Sequence, residues 1–437
     1  MQIVLIQLNE INFDVVSKYA KKGYDLKTLY EIYSQSINTI EDEKYENLEP
    51  WIQWVTCFQG QPFKYHKTFR LGDGYKSENT NIFHDINKKL KKSCGAICPM
   101  NISSKGINFD FFIPDPWSNE NPIGNISLNL ISKAIKKGVN NNTNKKKDIL
   151  LIIKLLTGLL FNLNLWDFKK LLKFYLNIKN FSFRKALFLD YILVVLHQRL
   201  IRKHKTDFST IFLNAGAHIQ HHYFLNSKVL KNELNPNWYI EKDKDPLLEA
   251  LMLYEELISS YKDKGYKIIL ITGLQQIPTK KCEFYYRLNN HDYFLKYLGI
   301  KFKDVFPRMT RDFEITFNSN LDRDESSEVL SKILDSNGVK LFGEIEIREK
   351  SIFCSLTYDK EIFEDKYFFH EERKLKIYKW VNFVALKNGI HDKNGYLYIN
   401  DSDLKKELGQ KIALSDVREL ILRESKNYYL NKKYMSS

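Results

Sequence analysis

The feature that most limits the fold is a series of short apolar runs set apart by helix-length segments. The chain opens on Ile3-Val4-Leu5-Ile6-Gln7-Leu8 and breaks at Asn9-Glu10. Residues 95–98, 210–213 and 267–272 repeat that pattern. Apolar runs of this length, bounded by polar breaks, suit strands buried on both faces. Residues 13–22 and 246–264 carry helical apolar spacing, and the second stretch leads directly into one of the runs. Strand, helix and strand at these distances imply parallel crossovers. They predict an α/β fold, a mainly parallel sheet flanked by helices. Glu49-Pro50-Trp51 marks a further helix start, because proline suits the first helical position.

Two stretches interrupt this pattern. Residues 136–147 are polar and Asn-rich and read as a loop or linker. Residues 149–161 are apolar but hold Lys154, and thirteen residues are too few to cross a bilayer. The segment to residue 205 mixes apolar residues with Lys169, Lys170, Lys173, Arg184, Lys185, Arg199, Arg202 and Lys203. It predicts a helical cap over the site, with a membrane-surface helix as the competing reading. Residues 340–349 and 351–358 alternate and join tightly, as in a hairpin, within a small α+β insertion. The expected division is a core at 1–135, a linker and cap at 136–205, more core at 206–320, the insertion at 321–380 and a closing core segment at 381–437.

Lys and Arg number 67 against 53 Asp and Glu, a formal charge of +14. That balance favours anionic partners such as phosphates or an acidic membrane face, or simply describes a Lys-rich surface. Zinc-finger spacing and RNP-type aromatic motifs are missing, which argues against nucleic acid. Five scattered cysteines do not make a disulfide framework, and Cys94 and Cys98 read as buried thiols. The opening residues lack a basic leader and a small-residue cleavage site. The expectation is a cytoplasmic chain, with attachment to the inner face of the membrane as an option.

Five pieces in order carry possible chemistry. They are the first strand ending at Asn9-Glu10; the helix from Glu49-Pro50-Trp51 through Thr56 to Gly60, Pro62 and His66; Asn214-Ala215-Gly216-Ala217-His218; Thr272-Gly273-Leu274-Gln275-Gln276; and Gly389-Ile390-His391, followed by 412–417. Together they resemble the alkaline phosphatase superfamily, especially its type I phosphodiesterase branch, over most of the chain. The resemblance implies an alkaline-phosphatase-like core with a metal-assisted site at the strand ends. It also shows departures. Asn9 stands where the family has a metal-holding Asp, and Gly-Leu-Gln-Gln replaces an Asp-His pair. The nucleophile slot falls near Glu49, because Thr56 lies too far into its helix and reads as packing.

The candidate catalytic residues are therefore Glu10, Glu49, His218 and His222. His218 and His222 share a helix face at a spacing of four, whereas His221 points elsewhere. Glu49 at a helix N-terminus could act as base, nucleophile or simple cap. Candidate substrate contacts are Asn9, Asn214, Gln275, Arg287, His291 and Arg311, the last suited to clamping phosphate or to pairing with Asp312. One divalent metal is an option, on Asn214, His218 and His391. Glu10, Glu49, His218 and His391 are expected to converge. Three functions stay open. The first is a transferase of surface-polysaccharide synthesis using a phosphate-activated sugar, with a lipid-linked acceptor as an option. That reading rests on resemblance of the Asn-Glu, Glu-Pro-Trp and Ala-His-Ile-Gln-His-His elements to proteins of such pathways. The others are a metal-dependent phosphodiesterase or phosphatase and a non-catalytic glycan- or phosphate-binding relative. Little activity on generic phosphomonoesters is expected, because carboxylate ligands are missing.

Overall fold

The structure, a computed structural model, describes residues 2–140, 149–178, 183–231, 233–308, 311–370, 373–402 and 404–435. The apolar runs assemble into one eight-stranded sheet. Its order is Lys411–Ala413, Ile37–Ile40, Asn394–Ile399, Lys267–Ile271, Ile3–Leu8, Phe208–Leu213, Cys94–Ile97 and Phe109–Ile113. Ile3–Leu8 pairs in parallel with a strand on either side, and Asn394–Ile399 is the one reversed strand of the eight. Every residue of Ile3–Leu8, Phe208–Leu213 and Lys267–Ile271 is buried. That is the signature of a sheet covered by helices on both faces.

The helices form where the apolar spacing placed them. Phe13–Lys21 starts at Asn12, whose side chain accepts from Val15 N. Pro246–Lys262 is capped by Asp245, which accepts from Leu248 N. Pro50–Gln59 begins on its proline and ends at Gly60 in a left-handed conformation. Trp54 on that helix stacks on Phe58 and meets Phe212 of the sheet edge-on. The buried Cys94 and Cys98 are free thiols, and burial pushes both pKa values up.

Two departures concern the cap and the insertion. Helix Ile126–Asn140 runs into the expected linker, because Leu128, Ile131, Ala134 and Ile135 form a buried stripe; residues 141–148 of that linker lie outside the described residues. The helices Ile149–Leu160, Leu165–Ile178 and Arg184–His204 follow. Among the described residues, no helix is long and apolar enough to cross a membrane. The second departure is a long antiparallel arm. Gln275–Leu288 pairs with Val381–Asp392 and projects from the sheet to a second hydrophobic core. That core holds the expected hairpin, Phe342–Ile347 on Ser351–Leu356, with Asp312–Thr316 beside it. It also takes residues outside 321–380, from Phe284 to Phe317 and at Leu386.

Candidate active site

The site lies where Ile3–Leu8 and its two parallel neighbours end. Glu10 follows the first strand with φ 59, a left-handed value that a non-glycine residue adopts only when held there. Its backbone is pinned on both sides. Glu10 N donates to Thr272 O at 3.0 Å, while Glu10 O accepts from Gln276 N at 3.1 Å and from Gln220 Nε2 at 2.7 Å. This aims a fully buried carboxylate across the strand ends.

Three ligand-type atoms meet there. His221 Nε2 lies 3.2 Å from Glu10 Oε2, His391 Nε2 lies 3.4 Å from the same oxygen, and the two nitrogens are 3.4 Å apart. His391 Nδ1 is 3.6 Å from Glu49 Oε2. The Glu49 side chain makes no capping hydrogen bond, so it is free to face the site from the N-terminus of its helix. Burial would raise the Glu10 pKa, but the imidazoles of His391 and His221 hold it well below the usual carboxylate value. Burial would likewise lower His391, yet the Glu10 and Glu49 carboxylates outweigh it and push His391 up to about 9. Glu49 is raised, first by burial, against the opposing pull of His391.

A ring of amides holds Glu10 in place. Asn9 Nδ2 donates to Glu10 Oε1 and to Asn214 Oδ1, each at 2.8 Å, and Asn9 Oδ1 accepts from Trp54 Nε1 at 2.8 Å. Gln276 Nε2 donates to Glu10 Oε2 and to Ala217 O. Gln275 Nε2 donates to Asp392 Oδ1 at 3.0 Å. The arm can approach so closely because residue 389 is glycine: a Cβ there would sit 2.2 Å from Gln276 Oε1 and 2.9 Å from Gln220 O. Asp190 satisfies the start of helix Ala215–Tyr223 by accepting from Ala215 N, and its own pKa is raised to about 6 by burial.

Helix phase decides which histidine enters. Ala217, Gln220 and His221 lie on the stripe that faces Glu10. His218 and His222 lie on the next stripe, with ring centroids 4.8 Å apart, and His222 Nδ1 bonds Leu386 O at 2.7 Å. His221, expected to point elsewhere, is therefore the imidazole at the carboxylate. The expected metal set of Asn214, His218 and His391 is replaced by Glu10, His221 and His391, because the helix turns His221 rather than His218 to Glu10, and Asn214 Oδ1 accepts from Asn9. Glu10, Glu49 and His391 do come together. Thr56 is buried, with Oγ1 3.1 Å from His66 Nε2.

Arg287, His291 and Arg311 lie elsewhere. Arg287 pairs with Asn382, nine residues along the partner strand from His391, on the order of 30 Å away at the strand rise. His291 packs edge-on against Phe313 in the second core, and Arg311 stacks over Tyr285 at 4.6 Å. The sequence signal that separates them from the site is the uninterrupted strand-forming run from Glu283 to Leu288.

The donor set fits a divalent cation. Two imidazole nitrogens and one carboxylate oxygen form a triangle with edges of 3.2, 3.4 and 3.4 Å. Three ligands about 2.0–2.1 Å from a tetrahedral ion would be separated by about 3.4 Å. The geometry of a three-ligand site with an open position is thus present, and a second carboxylate, Glu49, stands beside it.

No protein-family model matches the sequence, and no curated protein matches it. Among solved structures the chain is similar to phosphonoacetate hydrolase from Sinorhizobium meliloti, with 9% identity over 97% of this chain and 96% of that one and a TM-score of 0.45. It is similar to murine ectonucleotide pyrophosphatase/phosphodiesterase 5, with 8% identity over 97% and 95% and a TM-score of 0.42. It is also similar to alkaline phosphatase from the Antarctic bacterium TAB5, with 11% identity over 97% and 98% and a TM-score of 0.37. These neighbours are alkaline phosphatase superfamily members. At such scores the likeness assigns no residue a role.

Proposed function

We propose that this chain is an enzyme that breaks a bond to the phosphate of an anionic phosphodiester or diphosphate substrate, at Glu10, His221, His391 and Glu49. The observation that carries the reading is the ligand triangle with Glu49 beside it. Glu10, His221 and His391 would hold one divalent cation, which when bound would neutralise phosphate oxygens. Water oxygen bonds to phosphorus as Glu49 accepts its proton at a carboxylate whose pKa burial raises, and the P–O bond pair departs with the leaving oxygen. Asn9, Gln276 and the Glu10 backbone contacts fix the carboxylate before substrate arrives. A single cation neutralises less charge than a pair. That favours diesters and diphosphates over the dianionic monoesters.

A second reading is sugar transfer from a phosphate-activated donor, the function the surface-polysaccharide resemblance implies. Glu49 favours it, because a carboxylate base serves an acceptor hydroxyl as well as it serves water. A lipid-linked acceptor would suit the exposed apolar helices of the cap. Sugar nucleotides offered in ¹⁸O-water, with and without Mn²⁺, separate the readings by mass spectrometry. The first predicts ¹⁸O in the phosphate product. Glycosylated acceptor, or ¹⁸O in the freed sugar, would replace it with the second. No turnover of any diester or sugar nucleotide, with any divalent cation, would leave the binding-protein alternative.

A further inference from the structure

Helices Ile149–Leu160 and Leu165–Ile178 turn apolar faces outward. The inner side of the first is set by Gly158, where a Cβ would lie 2.5 Å from Ile131 Cγ1 and 2.8 Å from Ser127 O. Leu159 is buried on that side. The opposite stripe of Ile153, Leu156 and Leu160 is exposed, and Phe161 in the turn with Leu165 and Trp166 at the start of the next helix extends it, at 74, 81 and 64% exposure. On the second helix Leu171 is buried while Leu172 and Leu176 face water. A set of exposed apolar side chains of this kind on two successive helices marks an interaction surface.

Its charges indicate what covers it. Lys154, Lys169, Lys170 and Lys173 are exposed among these apolar residues. Asp167 is the one acid in the two helices, and Arg199 Nε engages it at 2.5 Å. Beside the turn a pocket of about 350 Å³ is lined by Asn162, Arg199, Leu200, Arg202 and Lys203. Nearby, the Lys264 pKa is lowered by burial and then by the charges of Arg202 and Lys170. A second copy of the chain would bring this basic set against itself, at a cost in like-charge repulsion. An anionic leaflet complements both components, since apolar side chains enter the headgroup boundary while lysines meet lipid phosphates.

We propose that helices Ile149–Leu160 and Leu165–Ile178 seat this protein on an anionic bilayer surface, with the Arg199–Arg202–Lys203 pocket receiving a lipid phosphate. The assignment stands whichever bond the active site breaks.

Flotation of the full chain with phosphatidylcholine vesicles, with and without phosphatidylglycerol, tests it. The chain should float with the anionic vesicles, and less so as salt rises. R202Q/K203Q should weaken partition roughly twenty-five-fold, at about a factor of five per cation near a leaflet. L160S/W166S should abolish it with unchanged circular dichroism, since both residues are exposed. Absence of flotation at low salt, equal flotation with neutral vesicles, or flotation that survives both double variants would overturn the proposal. So would self-association lost in L160S/W166S, which would assign the face to a second copy. Inorganic phosphate that binds the chain and leaves flotation unchanged would remove the pocket from the account.

Discussion

The two ends of the long antiparallel arm live in opposite environments. At one end Gln275, Gln276, His391 and Asp392 join a polar cluster at the sheet's strand ends. At the other, Phe284, Tyr286, Leu288 and Leu386 complete a second hydrophobic core. One pair of strands thus supplies chemistry at its base and packing at its tip. The contrast shows that closeness in sequence is a poor guide to the site here. His291 lies fifteen residues after Gln276 and packs with the tip, while His391 lies over a hundred residues away and meets Glu10.

The largest expected effect separates those ends directly. Glu10→Gln, His221→Ala and His391→Ala should each lower kcat/KM on a phosphodiester or sugar-nucleotide substrate by roughly 100- to 1000-fold, the range for losing one preorganised electrostatic group. Arg287→Ala and Arg311→Ala should change it less than about twofold. Steady-state kinetics decide, and a large loss from Arg311→Ala would bring the tip into the site. Phe313→Ala provides the converse. Phe313 is fully buried in the second core, against His291 and Phe342, so its loss should cost about 3–5 kcal/mol. Denaturant unfolding should show that loss, while cation affinity of the folded protein stays as in the parent.

A smaller effect concerns the main core near the site. Glu41 is buried, and burial raises its carboxyl to about 7, although the Asp42 N–H opposes the rise. A carboxylate raised on folding weakens the fold once the unfolded chain ionises. Stability should therefore fall as pH rises from about 4.5 to 7 and level off above. Glu41→Gln should remove that share, worth about 2–3 kcal/mol between pH 5 and pH 8. Urea unfolding of parent and variant at both values measures it, and parallel pH profiles would show that Glu41 carries no such shift.

Much of the sheet was legible in the sequence because buried parallel strands have to be short apolar runs, as at Ile3–Leu8 and Lys267–Ile271. The meeting of Glu10, Glu49 and His391 was readable because each borders such a run or a helix start. The role of His221 was not. Its helix has histidines at 218, 221 and 222, and which stripe faces Glu10 depends on how the arm docks against the helix at Gly389. The arm itself was hidden because Thr279, Lys280 and Lys281 interrupt the apolar pattern. Its stability comes from pairing with residues a hundred positions away. The start of the Asn-rich stretch was read as a loop because its buried stripe ends before the helix does.

We propose that Glu10, His221 and His391 form one divalent-cation site, with Glu49 beside it. Isothermal titration of the full chain with Mn²⁺ or Zn²⁺ after chelator treatment tests this most directly, with Glu10→Gln and His221→Ala alongside. The parent should bind one cation per chain, each variant should bind at least about tenfold more weakly, and His218→Ala should bind as the parent does. Binding that is absent from the parent, or that survives Glu10→Gln and His221→Ala but is lost with His218→Ala, would contradict it.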